Sequence, residues 1–247
     1  MIDTILFDLD GTLLQFYQAE FIAVYFSKLK KVLTGMGLDA DLASKTVWAG
    51  TEAMVLNDGT KLNSERFWDK FAGLMSLSGE RLKAVEDACD KFYSNEFDEI
   101  KTVMKNADPG LPRRLVDSLA SRGFTIVLAT NPLFPTCAVT TRLGWVGFRP
   151  QDFYLITDYT NSTYCKPNPD YYREIIRKIN KEPGQCLMIG NNTSDDMSAG
   201  ALGMETFLVT DYLENEAKMD VSAFRHGTLA ELEVYLASLP DVRRAVI

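Results

Sequence analysis

The stretch Leu6-Phe7-Asp8-Leu9-Asp10-Gly11-Thr12-Leu13-Leu14 sets two carboxylates one residue apart among apolar side chains. An unpaired charge in such surroundings is among the most unfavourable features a fold can carry. The two acids therefore call for partners from elsewhere in the chain. Asp10-Gly11 could be a simple turn and Asp8 a capping residue, but the apolar flanks favour a strand that delivers both acids to a site.

Working outward, continuous apolar runs of strand length recur at 4–7, 124–129, 153–156, 186–189 and 206–209. They do not alternate with polar residues, which suits strands covered on both faces. Helical patterns separate most of them, at 111–122, 135–143, 170–180 and 195–202. The expected fold class is therefore α/β, with a parallel sheet and helices packed on both faces.

Residues 15–104 break that rhythm. Tyr17, Phe21, Tyr25, Leu29 and Val32 recur at helical spacing, and further helices are expected at 43–56, 65–77 and 80–97, punctuated by Asn57-Asp58-Gly59 and Ser78-Gly79. This segment reads as an all-helical insertion, with an aromatic stripe (Phe21, Tyr25, Trp48, Phe67, Trp68, Phe71, Phe92) forming its own core. Asp108-Pro109-Gly110 marks the return to the sheet. The expected organisation is a core over 1–14 and 105–247 with the helical domain over 15–104 inserted after the first strand.

Composition narrows the function. Of 247 residues, 46% are hydrophobic and 24% charged, as in ordinary globular domains, and no apolar run has the length of a membrane span. The apolar strand beginning at Ile2 leaves no room for a basic signal-peptide head, so a cytoplasmic protein is expected. Cys89, Cys137, Cys165 and Cys186 are scattered, without the spacing of a zinc site or a disulfide framework. A formal charge of −8 argues against nucleic acid and membrane surfaces as partners, while leaving room for a small anionic substrate beside a local cluster of cations. Oligomeric state leaves no readable trace.

In open parallel sheets, ligands bind beyond the carboxyl ends of the strands. Asp8 and Asp10 follow the first strand, Thr130-Asn131 the second, and Asn191-Asn192 with Asp195-Asp196 the fourth, so all would share one rim. Each has a purely structural alternative. Asn131 could cap a following helix with Pro132 in its first turn, Lys166 could be a solvated lysine before a helix, and 191–196 could be a capping loop.

These residues carry a family likeness. Phe7-Asp8-Leu9-Asp10-Gly11-Thr12-Leu13 resembles the DxDGT signature of the haloacid dehalogenase-like superfamily, whose members are mostly phosphatases. Leu128-Ala129-Thr130-Asn131 resembles its strand-end Thr/Ser motif, Lys166-Pro167-Asn168-Pro169 its lysine motif, and 189–203 its acidic loop and helix. The resemblance implies a Rossmann-like core and a helical cap of the first type. The short stretch between Thr130 and Lys166 leaves no space for the large alternative cap. It further implies Asp8 as nucleophile forming an aspartyl-phosphate, and Asp10 as the acid and then the base. Thr130, with Asn131 beside it, and Lys166 would hold the phosphoryl group. Mg2+ would be bound by Asp8, the backbone carbonyl of Asp10, and Asn191, Asp195 or Asp196.

Physical chemistry favours the same residue types. A carboxylate nearing a phosphate dianion meets repulsion of roughly 4 kcal/mol per pair of unit charges at 4 Å and an effective dielectric of about 20. A hard divalent cation together with Lys166 can offset that, and oxygen donors are what magnesium prefers. Asp10 can serve both halves of a covalent route only if it starts protonated, so Asp8 and Asp10 need unlike environments. One departure stands out: Gly190-Asn191 places an amide where many members carry an acid, which should lower metal affinity.

The expected activity is a magnesium-dependent phosphatase acting on a small phosphorylated metabolite. A phosphomutase or phosphonate hydrolase would share the core. A metal-free 2-haloacid dehalogenase would typically lack the second aspartate, and a non-catalytic binding protein would not be expected to keep Asp8, Asp10, Thr130 and Lys166 together. Gln15, Tyr17, Gln18 and Ala49-Gly50-Thr51 are the candidate specificity residues, and His226 is expected at the surface without a role as a base.

Overall fold

The computed structural model describes residues 1–105, 108 and 110–242. Six parallel strands form one sheet: β1 (Thr4–Phe7), β2 (Thr125–Leu128), β3 (Leu155–Ile156), β4 (Cys186–Gly190), β5 (Glu205–Val209) and β6 (His226–Gly227), in the spatial order β3-β2-β1-β4-β5-β6. This is the doubly wound Rossmann order, with β1 central. Phe7 pairs with Leu128 on one side and Ile189 on the other, so β1, β2 and β4 end level and their following loops emerge together.

Continuous apolar runs make sense here because both faces are covered. Leu6, Val127 and Met188 join a buried cluster with Tyr171, Tyr172 and Ile175 from α7 (Pro169–Ile179). Ile5, Phe7, Leu128 and Ile189 point the other way, into the larger core shared with α5 (Gly110–Ser121), α6 (Thr136–Trp145) and α8 (Leu229–Ser238). Among the described residues, no helix is long and apolar enough to cross a membrane.

Between β1 and α5 stand α1 (Gln18–Gly35), α2 (Ala40–Val55), α3 (Asn63–Met75), α4 (Gly79–Asn95) and a 3-10 turn at Phe97–Val103. The start of α3 is pinned to the loops that follow β2 and β3: the buried Asn63 amide donates to the carbonyls of Pro132 and Tyr164, both at 3.3 Å, and the Ser64 N–H donates to the Tyr159 carbonyl at 2.8 Å. Two aromatic residues of the stripe, Phe21 and Tyr25, reach beyond the insertion to Phe134. Phe21 packs edge-on against Phe134 and Trp145, so the helices and the sheet share one core instead of having two. Trp48, expected inside, is 52% exposed.

Three further differences have local causes. The helix expected over 195–202 is a 3-10 turn at Met197–Leu202, because the preceding loop is held by side-chain bonds to Asn192 and Asp196. The third strand is only two residues long. A sixth, also of two residues, lies in a polar edge segment with no apolar run to reveal it. Exposed His226 lies there. Pro109, part of the expected boundary, is outside the described residues.

Candidate active site

The cleft lies where five strand-end loops converge. Asp8, Asp10, Thr130, Asn131, Lys166, Asn191, Asp195 and Asp196 all line it. The sequence scattered these residues over nearly 190 positions, and the level ends of β1, β2 and β4 bring them to one rim.

Lys166 is the hub. Its side chain is only 1% exposed, so it is no solvated lysine, and its Nζ donates to Asp8 Oδ1 at 2.8 Å and to Asp196 Oδ1 at 2.6 Å. Burial pulls the ammonium pKa down, but Asp196 and Asp8 together outweigh it and hold it well above the usual lysine value. Burial likewise pushes Asp8 up to about 8, against the opposing pull of Lys166. The other Asp196 oxygen accepts from the Asn192 N–H at 2.9 Å.

Asn131 does not cap a helix, since α6 begins only at Thr136. Its amide donates to Asp195 Oδ2 at 3.2 Å while its oxygen accepts from the Lys166 N–H at 3.3 Å, tying three loops together. The Thr130 carbonyl accepts from the Thr157 and Tyr171 hydroxyls at 2.7 and 2.9 Å, which fixes the backbone that presents Thr130 to the cleft. Burial raises the Asp195 pKa, with Lys166 countering it.

Two glycines make these approaches possible. Gly11 has φ +79°, which side-chain-bearing residues rarely adopt, and a Cβ there would lie 2.1 Å from Asn191 Nδ2. At Gly190 a Cβ would lie 2.1 Å from the Asp196 carboxylate, so only glycine lets that acid fold back over the end of β4. Asn191 is itself committed: its Nδ2 donates to the Tyr212 carbonyl at 2.7 Å and its Oδ1 accepts from the Thr12 hydroxyl at 3.3 Å.

Two residues were missed by the sequence reading. Arg142, 0% exposed, donates through Nη1 to Asp10 Oδ2 and lies over the rings of Phe134 and Phe21 at 4.6 and 5.5 Å. The acidic pair is thus split between two cations, Lys166 for Asp8 and Arg142 for Asp10. The available signal was a cation on the apolar face of α6, at the spacing of buried Ala138 and Val139. Glu214, from the loop after β5, accepts from Asn192 Nδ2 at 3.1 Å, and burial pushes it up to about 7. Gln18, oriented to donate, reaches both Glu214 oxygens at 2.9 and 2.8 Å and borders the cleft. Gln15 instead turns to the backbone of Asp108, and Tyr17 packs on Tyr212.

The cleft is rich in carboxyls and short of positive charge: Asp8, Asp10, Asp195, Asp196 and Glu214 face it against Lys166 and, behind Asp10, Arg142. Asp10 Oδ1 is buried with no hydrogen-bond partner. Such an all-oxygen set suits a hard divalent cation. Among the described residues, no three His, Cys, Asp or Glu side chains cluster closely enough to hold an ion alone.

Comparison with known proteins agrees with this fold. The bifunctional riboflavin kinase/FMN phosphatase of Arabidopsis thaliana is 25% identical over 128 residues, covering 51% of this chain and 32% of the relative, so the match spans about a third of that protein's length. CbbY of Rhodobacter sphaeroides, solved with xylulose-(1,5)bisphosphate, superposes with a TM-score of 0.57 at 16% identity, covering 94% of this chain and 96% of that one. The hydrolase YfnB of Bacillus subtilis, solved bound to magnesium, gives 0.54 at 18%, covering 95% and 98%. A family model for haloacid dehalogenase-like hydrolases matches residues 2–203. Because that match runs through β1 and every loop that contributes to the cleft except the one carrying Glu214, the chain belongs to the haloacid dehalogenase-like hydrolase family.

Proposed function

We propose that the protein is a magnesium-dependent phosphatase that hydrolyses a small phosphorylated metabolite through an aspartyl-phosphate on Asp8. The observation that carries this reading is the single ammonium of Lys166 held between Asp8 and Asp196 at the carboxyl edge of the sheet. An arrangement that only stabilised the fold would gain little from two buried acids around one lysine, because desolvation of buried ion pairs largely offsets their attraction.

In this reading the Asp8 carboxylate attacks phosphorus, the ester P–O bond breaks, and Asp10 delivers a proton to the leaving oxygen. Water then attacks the same phosphorus, Asp10 takes up its proton, and the Asp8–phosphorus bond breaks to release inorganic phosphate. Thr130 and Asn131 hold phosphoryl oxygens and Lys166 neutralises charge on them. Arg142 positions Asp10. The donors for magnesium would be an Asp8 oxygen, the Asp10 backbone carbonyl, and Asp195 or Asp196 with the Asn191 oxygen beside them. A bound divalent ion would offset the repulsion between the Asp8 carboxylate and the phosphate dianion. The oxygen donor set, the excess of carboxyls and the magnesium seen in YfnB support that choice. The helical insertion over 15–104 acts as a cap, supported by its anchorage to the loops around the cleft through Asn63 and by Gln18 at the cleft wall. A cytoplasmic location accords with four free cysteines.

The test is phosphate release from a generic aryl phosphate with magnesium and then with chelator. Activity lost on chelation, and abolished in a folded Asp8→Asn variant, is the expected result. Full activity in that variant would refute the covalent route, and chloride release from a 2-haloacid without metal would replace the phosphatase with a dehalogenase.

A further inference from the structure

A second cavity, of about 170 Å³, adjoins the carboxylate cleft, and Gln18, Leu133 and Phe134 line both. It lies between α1, α2, α3 and α4 and the strand-end loops. Among the described residues, none that lines it carries a formal charge, and aromatic rings, including those of Phe67, Trp68 and Phe71, make up much of its wall. The aromatic stripe of the sequence therefore partly lines a cavity.

Four of its polar side chains are turned to partners within the protein. The Tyr25 and Tyr93 hydroxyls bond each other at 2.7 Å, and the Thr51 hydroxyl donates to the Val47 carbonyl at 3.0 Å. Gln18 is engaged with Glu214. A sugar or glycerol body would exchange its water hydrogen bonds for walls with few free partners, and a second phosphate or a carboxylate would meet no cation. An apolar cavity of roughly 150 Å³ is known to stay dry and to bind benzene. The volume here is therefore that of one six-membered ring with a small substituent, and aromatic walls favour a ring over an aliphatic chain through edge and offset contacts.

We infer that the substrate is a phosphate monoester whose leaving group carries one uncharged aromatic ring, seated in this cavity while the phosphoryl group lies in the cleft. This rests on the phosphatase reading above. The ring supplies binding remote from the reacting phosphorus, and the alcohol or phenol released on hydrolysis leaves through the cap side.

The experiment compares kcat/KM for phenyl, benzyl, 2-phenylethyl and 3-phenylpropyl phosphate with that for methyl phosphate, glucose 6-phosphate and phosphoglycolate. The best phenyl ester should exceed methyl phosphate by about 10-fold or more, the scale of burying one ring. Thr51→Phe, or Ile22→Phe should the first variant fold poorly, fills the cavity and should bring that ratio to about 1. Benzyl alcohol, which has the ring without the phosphate, should perturb Trp48 and Trp68 fluorescence in the unmodified protein and lose that effect in the filled variant. If glucose 6-phosphate or phosphoglycolate outperforms every phenyl ester and the variants leave the ratios unchanged, this inference falls while the phosphatase reading stands. If no ester is hydrolysed, methyl phosphate included, the phosphatase reading fails and takes the inference with it.

Discussion

Asn191→Asp would restore the acid that many family members carry, and the structure makes it a destabilising change. Asn191 is 2% exposed, its Nδ2 donates to the Tyr212 carbonyl at 2.7 Å, and Gly11 blocks it on the other side, so the side chain cannot swing away. A carboxylate has no donor for that carbonyl. Leaving a buried acceptor unsatisfied costs about 1–3 kcal/mol, and two facing oxygens among Asp8, Asp10 and Asp196 add repulsion, for a total of about 3 kcal/mol. With a urea slope of about 3 kcal/mol per molar, the midpoint in chelator at pH 8 should fall by about 1 M. Protonation gives the new side chain a hydroxyl that can donate to Tyr212. The deficit is therefore present above the variant carboxyl's folded pKa and shrinks as pH falls through it. A midpoint within about 0.2 M of the parent at pH 8 would show that the amide is not committed to Tyr212.

Arg142→Met removes the cation from a buried pair and should cost about 3–5 kcal/mol. At about 2–4 °C per kcal/mol, the melting temperature falls by about 10 °C, and an unchanged Tm by calorimetry would refute the pairing with Asp10. Gly190→Ala puts a methyl group where the Asp196 carboxylate lies, so phosphate release should fall at least about 100-fold with an unaltered circular dichroism spectrum. Activity within 2-fold would show that Asp196 tolerates displacement. Burial raises Asp8 from an ordinary value near 3.8 to about 8, so in the metal-free protein this group favours folding fully below about 4 and loses that contribution as pH rises through 8. Magnesium needs the ionised form. Its affinity by titration calorimetry and its effect on Tm should therefore grow from pH 6 to about 9 and flatten beyond it, and a pH-independent affinity would contradict the assignment of Asp8 as a ligand.

What could be read from the chain followed from how much local pattern each element carries. The central strands were legible because burial on both faces demands uninterrupted apolar runs, as in Thr4–Phe7 and Cys186–Gly190. Edge strands of two residues, such as His226–Gly227, are defined by a neighbour's backbone and leave no pattern. Asp8, Thr130 and Asn191 were legible because they directly or closely follow those strands, whereas Lys166, far beyond the end of β3, was legible only through its motif. Arg142 and Glu214 were not legible, since Arg142 lies inside a helix and reaches Asp10 only through tertiary packing, and Glu214 follows β5 in a polar loop where Asp211 and Glu216 carry the same local pattern. The aromatic stripe was correctly apolar, but residue type alone does not distinguish a filled core from walls around a cavity.

The central position of β1 has a consequence for biosynthesis. Thr4 finds its two partners at Thr125 and Cys186, so the first strand to leave the ribosome is among the last to acquire both neighbours. At about 5–20 residues per second, on the order of ten seconds or more separates its emergence from that of β4. Until then the helices of the insertion can form from local contacts alone, whereas Asp8 has neither Lys166 nor Asp196 beside it. A nascent chain arrested before Cys186 would carry the Asp8 motif without the Asp196 that shares Lys166 with it, so the buried acid–lysine cluster assembles only after β4 has emerged.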